Sequence, residues 1–131
     1  MNADILFRLV LALVIVGVGV GLYALNNRLL LGRAPKNSLD ASGKPVLLYF
    51  TTPTCAPCKT VQKPAIAKIQ ETLGEMLKVI EVDATEQPDL AKRWGVLSVP
   101  TTFVIDSRGQ ARYVNHGVAR ADKLLKQFNA L

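Results

Sequence analysis

Apolar residues form one long block near the amino terminus. Residues 9–25 are a run of 17 positions without a charged or strongly polar side chain, and residues 5–7 extend it past Arg8. At about 1.5 Å of helix per residue, such a segment is about as long as the hydrocarbon core of a bilayer is thick. The pattern predicts a retained membrane-anchor helix within residues 1–27, with residues 5–25 in contact with the bilayer.

Two properties of this anchor stay open in the sequence. A cleaved signal peptide is the alternative, although the run exceeds a typical signal core and Leu22-Tyr23-Ala24 is a poor cleavage site. Arg28, Arg33 and Lys36 follow the block and favour a cytoplasmic soluble part. Many membrane-anchored proteins with a closely spaced cysteine pair face outward instead, so the side of the membrane on which the soluble part lies is undetermined.

Two glycines within the block suggest a helix contact. Gly17 and Gly21 form a small-x-x-x-small pair, which can let two membrane helices pack closely. A weak homodimer through this pair is one interpretation. The other is that the two glycines have no role in association, because glycine is common in membrane helices.

Short alternating elements replace the apolar block in the rest of the chain. Residues 28–43 contain Asn, Ser, Pro and Gly and predict a juxtamembrane linker, so a globular domain is expected over residues 44–131. Apolar runs and helical stripes predict the order strand, helix, strand, helix, strand, strand, helix. The elements are expected at Val46–Thr51, Cys58–Leu73, Leu77–Val82, Pro88–Trp94, Thr101–Ile105, Ala111–Val114 and around Leu124–Leu131.

The first of these helices has an apolar stripe and a proline. Pro64 should bend the helix, because it removes one backbone hydrogen bond inside it. Gly74 is expected to end it. The stripe consists of Val61, Ala65, Ile66, Ile69 and Leu73.

The two cysteines of the chain lie in Cys55-Ala56-Pro57-Cys58, between the first strand and this helix. Two thiols at this spacing can close a small disulfide ring, and the helix N-terminus favours the reactive thiolate. The alternatives are a static disulfide or half of a zinc site. So tight a loop restrains little chain entropy, and His116 is the one histidine available to complete four zinc ligands. We therefore predict a redox-active pair and no metal, with His116 as a solvated or capping residue.

The net charge of +6 is spread along the chain. Nucleic-acid binding would require a dense basic cluster interleaved with aromatic residues, and the sequence has none. Basic residues beside a membrane helix and on a solvated surface account for the charge.

The cysteine motif and its surroundings resemble the thioredoxin superfamily. The likeness covers residues 44–131, and a Val-Pro-Thr sequence follows the cysteines at a spacing typical of that superfamily. The segments that carry it are Lys44–Phe50, Cys55–Lys59, Val82–Asp83, Pro88–Val96, Ser98–Thr101 and Asp106–Gly109.

This resemblance implies an α/β fold with a four-stranded mixed sheet in the strand order second, first, third, fourth. Residues 26–43 are too short and too polar for the superfamily's first strand and helix, so we expect a trimmed core. The resemblance also implies that Cys55 is the exposed nucleophile and Cys58 the buried resolving thiol. Val99–Pro100 should be a cis bond beside them. Pro57, Val99 and Pro100 are the expected substrate-binding residues.

The chain departs from the superfamily pattern near the cysteines. Thr54 replaces the usual aromatic residue, and Ala56 replaces the common glycine. Tyr49 stands where many members have a buried carboxylate, and a tyrosine with a pKa of about 10 is no base near neutral pH. Trp94 is interpreted mainly as a packing residue, with a place on the active-site surface as the alternative.

The function implied is a membrane-tethered thiol–disulfide oxidoreductase that reduces or exchanges protein disulfides through Cys55 and Cys58. It needs no cofactor. Its partners would be disulfide-containing proteins and an unidentified recycling partner, which sets the direction of exchange. The alternative is a non-catalytic binding or scaffold module at the membrane.

Overall fold

The computed structural model describes residues 2–33 and 43–131. Of the predicted linker, residues 34–42 lie outside the described residues. The chain divides into two compact units, Met1–Leu30 and Leu31–Leu131.

One long helix, α1 (Ala3–Arg33), occupies the amino-terminal part of the chain. Its segment Ala3–Leu29 is long and apolar enough to cross a membrane, and its most apolar window is not buried in the protein. A signal sequence meets the same criteria, so retention as an anchor stays a prediction, as does the boundary at residue 27. Apart from the neighbouring backbone of α1 itself, no atom of the described residues lies within 4 Å of the position that a Cβ would take at Gly17 or Gly21. The dimer through this pair also stays a prediction.

The second unit contains the predicted sequence of elements. Its strands and helices are β1 (Val46–Thr51), α2 (Lys63–Leu73), β2 (Lys78–Asp83), α3 (Pro88–Arg93), β3 (Thr101–Ile105), β4 (Ala111–His116) and α4 (Ala121–Asn129). A π-turn (Cys58–Gln62) precedes α2, and a 3₁₀ turn (Gly74–Met76) follows it. In the described residues no strand precedes β1.

The sheet has the strand order β2-β1-β3-β4. β1 pairs in parallel with β2 and antiparallel with β3, which in turn pairs antiparallel with β4. The prediction of a four-stranded mixed sheet in this order is therefore confirmed. β1 is buried along its whole length, as expected for a strand with neighbours on both edges and helices on both faces.

Two apolar clusters cover the two faces of the sheet. On one face, Leu47 and Tyr49 of β1 pack in a cluster with both cysteines and with buried residues of α2 and α4. On the other face, Leu48 and Phe50 pack in a cluster with Phe103 of β3 and Trp94. The alternation of side chains along β1 supplies both clusters from one strand.

The helix after the cysteines is less regular than its sequence predicted. Its first turn is a π-turn, in which the Lys63 N–H donates to the Cys58 carbonyl. This wider turn changes the helical register, so Gln62 is fully buried (0%) whereas Val61 is 41% exposed. The placement of Val61 on the buried stripe is therefore wrong. Pro64 is the second residue of α2, which directly follows the π-turn. The bend expected at this residue stays a prediction.

Trp94 is a packing residue, as the main interpretation of the sequence held. Its side chain is 2% exposed, and its ring lies 4.8 Å from the ring of Phe103 between centroids. Phe103 also makes an edge contact with Phe50 at 6.0 Å. These three rings fill the space between the sheet and the segment that contains α3.

Phe103→Ala tests whether this ring cluster dominates the stability of the second unit. We expect the free energy of unfolding to fall by about 3–5 kcal/mol, because Phe103 is fully buried and its removal leaves a cavity. Urea unfolding of the full-length chain measures the change. Met76→Ala is the control, because Met76 is 67% exposed and exposed substitutions change stability by about 0.5 kcal/mol or less. A loss below about 1 kcal/mol for Phe103→Ala would contradict the assignment.

Candidate active site

The cysteines follow the buried strand β1 through a tight turn. The Cys55 N–H donates to the Thr52 carbonyl at 3.2 Å, and the Lys59 N–H donates to the Cys55 carbonyl at 3.4 Å. Helical backbone begins at Ala56. Cys55 therefore stands at the point where the strand ends and the helix starts, as its position in the sequence predicted.

Cys55 and Cys58 are joined in a disulfide with an S–S distance of 2.00 Å and a Cα–Cα distance of 5.3 Å. Cys55 is 8% exposed and Cys58 is fully buried. Cys55 is therefore the more exposed of the two, but in this disulfide form it is itself nearly buried and is not the exposed residue that the resemblance implied. The Cys58 N–H donates to Cys55 Sγ at 3.2 Å. When the pair is reduced, such a donor and the helix N-terminus favour a thiolate at Cys55. The roles of nucleophile and resolving thiol stay predictions.

The Val99–Pro100 bond is cis, as the resemblance implied. Val99 is partly buried and packs against the cluster that contains both cysteines. The loop is held on both sides, because Thr101 Oγ1 donates to the Ser98 carbonyl at 2.7 Å and the Gly117 N–H donates to the Pro100 carbonyl at 2.9 Å. Pro57, the third expected substrate-binding residue, is exposed at the helix start.

An open groove of about 360 Å³ runs beside this loop. Thr52, just before the cysteines, and Val99, just before the cis-proline, both line it. Its rim includes Leu97, which is 94% exposed. An exposed leucine beside an apolar groove is a surface that another chain could cover.

Tyr49 lies beneath the second cysteine. Its side chain is 1% exposed, and its hydroxyl donates to the Cys58 carbonyl at 3.4 Å. Burial raises the pKa of Tyr49 above its usual 10.0. Interactions with Thr51, Glu81 and Lys63 have smaller effects on this pKa. A neutral tyrosine donates a hydrogen bond here and does not accept the proton of Cys58 near neutral pH.

A second cleft, of about 340 Å³, opens between Tyr49 and the protein surface. Lys63 Nζ and Glu81 Oε1 form an ion pair at 3.2 Å along its wall. Glu81 is the register partner of Tyr49 on β2. Both charged side chains are about half exposed (49% and 48%), so the ion pair itself contributes little to stability.

Gln62 is the site residue that sequence reasoning missed. Its side chain is fully buried and makes two hydrogen bonds to one distant residue. The Ala119 N–H donates to Gln62 Oε1 at 2.8 Å, and Gln62 Nε2 donates to the Ala119 carbonyl at 3.0 Å. A polar residue next to the predicted stripe, just before Pro64, was the available signal of a change in register.

The described part of the chain brings together no group of three or more His, Cys, Asp or Glu side chains that could hold a metal ion. His116 is exposed at the end of β4. Neither observation points to a further chemical group beside the disulfide at this surface.

Comparison with known proteins agrees with this geometry. A family model described as thioredoxin matches residues 33–130. Thioredoxin of Bacillus subtilis is 34% identical over 68 residues, which are 52% of this chain and 64% of that protein. A thioredoxin-like protein of Synechocystis sp. is 30% identical over 90 residues, which are 69% of this chain and 84% of that protein. The chain thus spans less than two thirds of the Bacillus protein.

Solved structures show the same fold. Thioredoxin-2, a component of the malaria parasite protein secretion machinery, superposes with a TM-score of 0.66 at 20% identity, over 72% of this chain and 90% of that one. Mitochondrial thioredoxin 3 of Saccharomyces cerevisiae, in its oxidised form, gives 0.60 at 25% identity, over 70% and 82% of the two chains. A DsbF homologue from Corynebacterium diphtheriae gives 0.60 at 21% identity, over 70% and 74%.

Tyr49→Phe tests the neutral-donor role of this hydroxyl. Near neutral pH we expect a loss of at most about 1 kcal/mol in the free energy of unfolding, because one long hydrogen bond disappears. Above about pH 10 the unfolded chain releases the tyrosine proton while the folded chain still holds it, so the parent loses stability as the pH rises. Tyr49→Phe lacks this contribution and should decline less steeply. Urea unfolding at neutral and alkaline pH measures both, and equal declines would contradict the raised pKa.

Proposed function

Because the chain belongs to the thioredoxin family, we propose that it is a thiol–disulfide oxidoreductase that reduces or exchanges disulfides in proteins. The observation that carries the proposal is the Cys55–Cys58 disulfide at the start of a helix. It packs in one cluster with Val99, the residue before the cis-proline. Thr52, three residues before Cys55, and Val99 also line the open groove, so a surface that another chain could cover lies next to the segments that hold the disulfide.

The proposed reaction as a reductant begins with the dithiol form. The Cys55 thiolate attacks one sulfur of the substrate disulfide, and the other substrate sulfur leaves as a thiolate. Cys58 then loses its proton and attacks Cys55 Sγ in the mixed disulfide, which releases the second substrate thiolate. Two electrons pass from the dithiol to the substrate, and the Cys55–Cys58 disulfide is the oxidised product. An unidentified dithiol partner regenerates the pair by the same exchange.

The exposures of the two cysteine residues favour this order. Cys55 reaches solvent and Cys58 is fully buried, so an incoming protein disulfide can meet Cys55 first. The burial of Tyr49 argues against a tyrosinate as the base for Cys58. Water or another group would have to take that proton.

Substrate proteins are proposed to bind in an extended conformation across the loop that contains Pro100. The backbone groups of Val99 would pair with the substrate segment as an added strand. Pro57 and Pro100 would contact it on either side of the disulfide. The groove beside Val99 would then receive substrate side chains.

The proposed location is a membrane, with α1 as the anchor. The length and apolar character of Ala3–Leu29 support it. Tethering would restrict the enzyme to substrates near the bilayer surface.

Cysteine variants of the full-length chain test the assigned roles. Cys58→Ser should accumulate mixed disulfides with protein substrates, because the resolving attack is lost, and Cys55→Ser should accumulate none. Non-reducing electrophoresis after acid quenching measures the trapped species, and the double variant is the blank. The reverse pattern would overturn the assignment. Absence of trapping, together with no reduction of insulin by the parent chain, would favour the scaffold alternative.

Membrane extraction tests the anchor. The full-length protein should remain in the membrane pellet after alkaline carbonate treatment, because a spanning apolar helix is not displaced by loss of electrostatic contacts. Mass spectrometry of the recovered chain reports its amino terminus. A soluble form that begins near Leu25 would show that the helix is a cleaved signal sequence.

A further inference from the structure

Gln62 stands out because it is a fully buried polar side chain only four residues after Cys58. It belongs to the same π-turn as Cys58, which forms the first residue of that turn. π-turns inside helices are frequent at functional sites. Here the extra residue in the turn directs an amide side chain into the core, where a regular helix would direct Val61.

The partner of Gln62 is the backbone of Ala119, 57 positions away in the chain. The two hydrogen bonds use both the N–H and the carbonyl of Ala119. A primary amide carries a donor and an acceptor side by side, so it can donate to one of these groups and accept from the other at the same time. Ala119 is itself fully buried, so the loss of this partner would leave two backbone groups unsatisfied.

Ala119 belongs to a short connection between β4 and α4. Its other end is tied to the cis-proline loop, because the Gly117 N–H donates to the Pro100 carbonyl. Ala119 also lies in the apolar cluster that contains Cys55 and Cys58. Between these two attachments stands Val118, which is 39% exposed. The connection 117–119 therefore links the proline loop to the active-site helix through Gln62.

We propose that Gln62 is a positioning residue for substrate docking: by clamping Ala119, it holds the connection 117–119 in register with the Pro100 loop and the dithiol. This inference rests on the proposed function. Gln62 touches neither sulfur in the reaction and acts through the backbone that it holds. Its loss should weaken the docking of a protein disulfide more than it changes the reactivity of Cys55.

Two substitutions of Gln62 test this role in the full-length chain. Gln62→Met keeps the length of the side chain and removes both hydrogen bonds. Gln62→Asn keeps the amide but is one methylene shorter, so it cannot make both bonds, and the space it leaves could admit water to Ala119. Gln62→Asn carries the test if Gln62→Met does not fold.

Gln127→Leu is the matched control. Gln127 on α4 also makes two side-chain hydrogen bonds, both with Asn115 and both at 2.9 Å. This substitution removes a part-buried pair of amide hydrogen bonds and leaves the Gln62 contacts in place. It should lower stability without altering the connection 117–119.

The kinetic measurement is the reduction of insulin with dithiothreitol as the reductant, beside the reduction of a small aromatic disulfide. For both Gln62 variants we expect KM for insulin to rise about tenfold, kcat to change less than about threefold, and the rate with the small disulfide to stay near that of the parent. Gln127→Leu should leave all three near the parent values. An unchanged KM for insulin, or an equal rise in Gln127→Leu, would overturn the proposal.

Amide hydrogen exchange gives a second readout that does not depend on activity. The amides of Ala119 and Gly117 should exchange at least about tenfold faster in the Gln62 variants than in the parent, beyond any change in global stability. Gln127→Leu should show no such local effect. Unchanged exchange at Ala119 would overturn the positioning role whatever the kinetics. If the parent reduces no protein disulfide, the proposed function fails, and the exchange result still decides whether Gln62 holds this connection.

Discussion

The burial of β1 is the constraint on which the second unit depends. This strand has a neighbour on each edge, and its side chains enter an apolar cluster on each face. Every backbone group of such a strand must find its partner in the sheet, because water cannot reach it. A strand fixed in this way ends at a defined place, and that place is where the turn to Cys55 begins. The position of the disulfide is therefore a consequence of the core.

The sequence predicted those parts of the fold in which pattern and environment agree. β1 was visible because a strand buried on both faces is apolar at every position. The hairpin of β3 and β4 was visible because Asp106 to Gly109 separates two strand-like runs, and in the structure the Gly109 N–H donates back to the Asp106 carbonyl. The cis bond before Pro100 was a different case. It came from the resemblance alone, since no local pattern distinguishes it from a trans bond.

The features that the sequence did not predict depend on contacts between residues far apart in the chain, which helical periodicity does not report. A constant helical period placed Val61 in the core, but the π-turn exposes it and buries Gln62. Periodicity could not find Gln62, because the two bonds that make its burial acceptable come from Ala119, far along the chain. The groove beside Val99 was also invisible, because its walls come from segments separated in sequence.

The buried polar side chains of this region, Tyr49 and Gln62, are neutral, whereas the charged side chains lie at the surface. Tyr49 donates to the carbonyl of Cys58 from below, and its burial keeps it neutral, so it supports the helix start without exchanging protons. Gln62 is neutral as well and connects backbone to backbone. Charged groups are kept at the surface, as the half-exposed ion pair of Lys63 and Glu81 shows. By using neutral polar groups at Tyr49 and Gln62, this part of the core avoids burying a charge that would need a partner. In the proposed exchange reaction, neither Tyr49 nor Gln62 would change its charge.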